Sequence, residues 1–91
     1  MKRIQIEVFS SPGCSRCGQV FDLLQTITEE FGGDRIEWRK VNVLDELDYA
    51  VKLGVLSMPA IAIDGELVFK THPTAHTLRQ VLDDRLKAQP A

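Results

Sequence analysis

The chain has 91 residues, 44% hydrophobic and 26% charged, with a formal net charge of −2. That length holds one domain with a single core, and the composition is that of a folded chain rather than a disordered one. Scattered Lys and Arg leave no footprint for nucleic acid or anionic lipid, and no apolar run approaches the ~20 residues needed to cross a bilayer. The basic start, Met1-Lys2-Arg3, passes at once into alternating residues rather than an apolar secretory segment, so the chain reads as cytoplasmic.

Ile4, Ile6 and Val8 alternate with Gln5 and Glu7, and Phe9 closes the run, which is the period of a strand. Ser10 to Gly13 are turn residues, and Pro12-Gly13 delays any helix until Cys14, where the first helix is expected to open. Val20, Leu23, Leu24, Ile27 and Phe31 then fall on one helical face, with Asp22, Gln25, Glu29 and Glu30 toward water, until Gly32-Gly33 caps the end. Ile36 to Val43 predicts a second strand, with Ile36, Trp38 and Lys40 on one side and Val41 and Val43 on the other. A helix between two such strands implies a right-handed parallel crossover.

Asp45 is expected to cap a short helix that carries Leu47, Ala50 and Val51 inward and stops at Gly54. Val55 to Pro59 leads into the apolar strand Ala60–Ile63, and Asp64-Gly65 is a hairpin signal returning the chain through Leu67-Val68-Phe69. Beyond His72-Pro73, Leu78, Val81, Leu82 and Leu86 mark a last amphipathic helix. The chain reads as fraying from Lys87 onward. The order is βαβαββα, in one domain over residues 1–87 with a tail at 88–91.

Both cysteines lie in Cys14-Ser15-Arg16-Cys17. With Cys17 in the first turn of a helix the two thiols can close a small disulfide. Cys14, at the helix N-terminus, meets unpaired N–H groups and the positive end of the macrodipole, so it is the candidate nucleophile. Arg16 adds a cation and is a candidate thiolate stabiliser. Cys17, one turn in and less exposed, is placed to resolve a mixed disulfide formed at Cys14. Two cysteines in a reducing compartment argue for redox or metal chemistry rather than a structural scaffold. The alternative is a soft-metal or iron–sulfur module on the same two thiols. Zinc would need two further ligands, for which His72 and His76 are the candidates. A third reading is an adaptor whose thiols are idle.

Three features together resemble the thioredoxin-fold family, nearest in size to the small thioredoxins and glutaredoxins, over nearly the whole chain. Cys14-Ser15-Arg16-Cys17 opens a helix directly after the first strand, Met58-Pro59 precedes the hairpin strand, and a helix follows the hairpin. The resemblance implies an α/β thioredoxin fold: a four-stranded mixed sheet with the first and third helices on one face and the second on the other. It implies a cis Pro59 packed against the cysteine pair and a Met58 whose backbone pairs with a bound substrate segment, with Gly13 and Ser15 beside it as further substrate contacts. It also implies an enzyme, a thiol-disulfide oxidoreductase acting as a monomer on disulfide-containing proteins or small thiols. A reductase or thiol donor would regenerate it, and no cofactor or metal is expected beyond the Cys14–Cys17 disulfide itself.

The chain departs from the family at several positions. Gly13 stands where thioredoxins carry tryptophan, Ser15-Arg16 where they carry Gly-Pro, and Val8 where they bury a carboxylate serving the second cysteine. Lys40 resembles the lysine that accompanies that carboxylate. Phe69-Lys70-Thr71-His72-Pro73 lacks the Gly-Gly and acidic residue with which glutaredoxins hold glutathione, so glutathione binding is not supported.

Overall fold

The computed structural model describes residues 3–33, 35–70 and 73–88. Its elements are β1 (Ile4–Ser10), α1 (Cys17–Phe31), β2 (Ile36–Asn42), α2 (Leu47–Leu53), β3 (Ala60–Ile63), β4 (Glu66–Phe69) and α3 (Ala75–Ala88). The strands lie in the order β2-β1-β3-β4. β1 and β2 run parallel, with Ile4 opposite Ile36 and Ser10 opposite Asn42, and β3 is antiparallel to both β1 and β4. This is the mixed sheet and element order expected from the sequence.

The period of two along β1 sends Ile4, Ile6 and Val8 to one face, where they pack with Val20, Leu24 and Ile27 of α1 and Leu78 and Leu82 of α3. Phe9 points the other way and is fully buried with Val41, Val43, Ala50, Ala60 and Ala62 on the α2 side. Both faces are therefore covered, which a strand buried in the middle of a parallel crossover requires. Each fully buried side chain of this size contributes roughly 1.5–3 kcal/mol relative to exposure. At the outer edge, Lys40 turns to the α1 side and holds its Nζ 4.5 Å from the Phe21 ring centroid, and Trp38 stacks on the same ring.

Helix α1 opens at Cys17 with Arg16 as N-cap, three residues later than expected. Gly13 has φ 84°, and the Cys14 N–H donates to the Ser11 carbonyl at 3.1 Å, so Cys14 still belongs to the turn leaving β1. The Val20 N–H reaching the Arg16 carbonyl marks the first helical bond. At the other end, the Gly32 N–H donates to the Thr28 carbonyl and closes the helix.

Helix α2 also corrects the expectation. Glu46, not Asp45, is its N-cap, without a side-chain cap bond. Asn42 shapes the turn instead: its carbonyl accepts from the N–H groups of Asp45 and Glu46, and its Oδ1 accepts from the Leu44 N–H. Ala50 is buried, and Tyr49 and Leu53 pack beside it. Leu47 and Val51, expected inward, are 57% and 67% exposed. At about 3.6 residues per turn, Tyr49, Ala50 and Leu53 share one stripe and Leu47 and Val51 fall outside it.

At the hairpin, Asp64 and Gly65 both take positive φ, 51° and 82°, the conformation that a two-residue connection between twisted strands demands. The Asp64 carboxylate accepts from the Gln5 N–H at 2.9 Å, and the Asp64 N–H donates to the Gln5 carbonyl, so the turn is tied to β1. Helix α3 carries on through Lys87, whose Nζ meets Asp83 at 3.0 Å, so Lys87 is helical rather than frayed. Residues 89–91 of the expected tail lie outside the described residues. Among the described residues no helix is long and apolar enough to cross a membrane.

Candidate active site

The parallel β1–β2 pair and the turn after Ser10 deliver the two cysteines to the end of the sheet where α1 begins. Cys14 and Cys17 are joined as a disulfide, with Cα atoms 5.6 Å apart. Their exposure differs. Cys17 is 3% exposed and sits on the buried stripe of α1, whereas Cys14 is half-buried and open to a surface groove. Gly13, Ser15 and Arg16 line that groove with Cys14, and Met58 closes it from the loop before β3. The Met58–Pro59 peptide is cis, and Pro59 is buried behind Met58. Thus residues distant in sequence, Gly13 to Arg16 and Met58, converge on one groove.

The electrostatics at this end are positive. The first turn of α1 carries no acidic residue, so nothing there offsets its free N–H groups and the positive end of its dipole. Arg16 is exposed at the N-cap and has no ion-pair partner among the described residues. Both features favour an anion at Cys14. On β1, Val8 is fully buried and lies opposite Lys40 across the ladder, and no charged side chain is buried among the described residues.

Of the two histidines singled out as metal ligands, His76 is exposed on α3 and His72 lies outside the described residues. Among the described residues no group of three or more His, Cys, Asp or Glu side chains is placed to hold a metal.

Two features on the α2 side escape the sequence reading. Arg39 on β2 bonds Glu7 of β1 at 2.5 Å and Glu46 at 3.2 Å, and the Tyr49 hydroxyl donates to Glu7. The bond to Glu7, reinforced by burial, pushes the Tyr49 phenol up to about 12, and the two carboxylates, Glu46 first and then Glu7, raise the Arg39 guanidinium further. The one signal in the sequence is Phe9, which shows that the Glu7 face of β1 is also covered. The second feature is Leu56, 95% exposed in the loop ahead of Met58, whose position beside the site follows only from the fold.

Comparison with known proteins agrees with this geometry. The family model described as the thioredoxin domain matches residues 4–83. A protein of Methanothermobacter thermautotrophicus named "Probable Thioredoxin" is 31% identical over 84 residues, covering 92% of this chain and 98% of that protein. The "Thioredoxin" of Methanocaldococcus jannaschii is 29% identical over 86 residues, covering 94% of this chain and all of that one. In fold, the chain is similar to a single-site mutant of a thioredoxin from Halobacterium salinarum, with a TM-score of 0.80 at 18% identity, over 98% of this chain and 80% of that one. Relatives matched along nearly their whole length and a domain match that spans both cysteines and Pro59 assign the chain: it belongs to the thioredoxin family of thiol-disulfide oxidoreductases.

Proposed function

We propose that the protein is a cytoplasmic dithiol reductant in which Cys14 is the nucleophile and Cys17 the resolving thiol. The observation that supports this assignment is the unequal exposure of the pair, with Cys14 open to the groove and Cys17 3% exposed beneath it. In the reduced protein the Cys14 thiolate, favoured by the α1 N-terminus and by Arg16, attacks one sulfur of a substrate disulfide. The other substrate sulfur leaves as a thiolate and takes up a proton. Cys17 then loses its proton and attacks Cys14 Sγ, the second substrate thiolate leaves, and two electrons have passed from the dithiol to the substrate. The product is the Cys14–Cys17 disulfide, which a reductase or thiol donor reopens.

Met58, with Gly13 and Ser15 flanking Cys14, holds the substrate segment across the groove. The exchange needs no cofactor beyond the dithiol, and one domain over residues 1–87 acts as a monomer.

Equilibration in graded thiol–disulfide buffers, with the cysteine state read by alkylation and mass, tests the reading. The expected result is a single two-electron transition at roughly −220 mV or more negative, the range of a cytosolic reductant. A pair that forms no intramolecular disulfide, or that a bound metal keeps from oxidising, would replace this reading with metal binding.

A further inference from the structure

Behind the loop that carries Met58 is a second concavity. It is apolar, with a volume of about 160 Å³, and its floor and wall are Val55, Ala60 and Leu67, with Leu56 at the lip and Lys70 at the mouth. The loop Val55–Met58 is its shared boundary with the redox groove: Met58 lines the groove, and the three residues before it line the hollow. An apolar cavity of about 150 Å³ is large enough to hold a benzene ring.

The hollow is built rather than incidental. Leu56 is 95% exposed, yet the residues on both sides of it are tied down. The Val55 N–H donates back to the carbonyl of Ala50 in the middle of α2, and the Ser57 hydroxyl donates to the Lys70 carbonyl just beyond β4 at 3.0 Å. Those bonds fix an apolar side chain in water at the edge of a preformed pocket, so an incoming group meets little ordering cost there. The Ser57 hydroxyl is already satisfied, which leaves the pocket with an apolar interior and a single cation, Lys70, at its mouth.

We infer that this hollow is a subsite for one large apolar side chain, aromatic or long aliphatic, of a polypeptide substrate whose disulfide lies in the Cys14 groove, and that Leu56 is its specificity-determining residue. The inference rests on the reductant reading above. Its basis is continuity: a polypeptide seated against Met58 crosses the loop and places a side chain on the far side, over Leu56. A small disulfide fills the groove alone. Lys70 further favours an acidic residue next to the apolar one.

The test uses short peptides with one disulfide, in pairs that differ only by Phe or Ser at successive positions beside the reacting cysteine. With the wild-type protein, kcat/KM for one Phe peptide is expected to exceed that of its Ser partner by about tenfold, the scale of burying a large apolar side chain. In Leu56→Ser, whose altered side chain is on the surface, that ratio is expected to fall to near one. No Phe preference at any position, or a preference that Leu56→Ser leaves intact, overturns the subsite while the reductant reading stands. If the wild-type protein reduces none of the peptides, the reductant reading falls and takes the subsite with it.

Discussion

The Tyr49 hydroxyl on α2 donates to the Glu7 carboxylate on β1, where Arg39 also binds, and this links α2 to the central strand. The bond holds the phenol in its neutral form and pushes its pKa up to about 12. Because the folded value lies above the unfolded one of about 10, the stabilisation is complete below pH 10 and is lost as pH rises through 12. The sequence has one tyrosine, so a tyrosinate absorbance titration reads this group alone. A midpoint near 12 that Glu7→Gln returns toward 10 is expected, with urea midpoints that fall across the same interval. An ordinary midpoint in the unaltered protein would show that the bond does not form in solution.

The two faces of the sheet give contrasting substitutions. Leu24 is fully buried between α1 and β1, and Leu24→Ala should cost about 2–5 kcal/mol through lost burial and a residual cavity. Leu47 and Val51 stand on the outer side of α2, so Leu47→Ala and Val51→Ala should each stay within about 0.5 kcal/mol. Urea denaturation decides the matter. A large loss at Val51 would mean that α2 turns its other face to the sheet.

That contrast also shows what local sequence can carry. The alternation of Ile4, Ile6 and Val8, the stripe from Val20 to Phe31 and the Asp64-Gly65 turn report their elements because each is decided by neighbours in the chain. A seven-residue helix such as α2 admits two apolar stripes. What selects Tyr49, Ala50 and Leu53 over Leu47 and Val51 is the opposing surface, Phe9 and Glu7 on β1. The start of α1 lies beyond the expected position for a similar reason: the cysteine spacing suits a helix from Cys14, but the Ser11–Cys14 turn on Gly13 takes the first thiol out of it. The cysteines and Met58-Pro59 are legible as motifs. The hollow beside them is not, since it exists only where the Val55–Met58 loop meets β4.

Glycine substitutions separate backbone strain from packing at the site. A Cβ on Gly13 or Gly18 would meet nothing within 4 Å, but Gly13 has φ 84° while Gly18 lies in the first turn of α1. Gly13→Ala should therefore lose about 1–2 kcal/mol through backbone conformation alone. Gly18→Ala should gain about 0.5–1 kcal/mol, because alanine loses less freedom in a helix. Thermal or urea melts of the two variants test this. Equal effects of the same sign would show that the loop ahead of Cys14 does not hold its left-handed glycine.

The unequal exposure of the cysteines assigns different fates to their serine variants. Cys14→Ser leaves the groove with a hydroxyl that does not ionise near neutral pH, so turnover with any disulfide substrate should be lost. Cys17→Ser keeps the exposed nucleophile but removes the only other thiol in the chain. The first exchange should then proceed and stop, leaving a substrate thiol linked to Cys14 that intact-mass analysis detects as a single adduct. Reducing agent should release it. The half-reaction tests whether Cys14 needs its partner for activation: the α1 N-terminus and Arg16 remain in Cys17→Ser, so the adduct should form about as fast as the unaltered protein completes its first exchange. Multiple turnovers by Cys14→Ser, or adducts that accumulate on Cys17 in that variant, would reverse the roles of the two thiols.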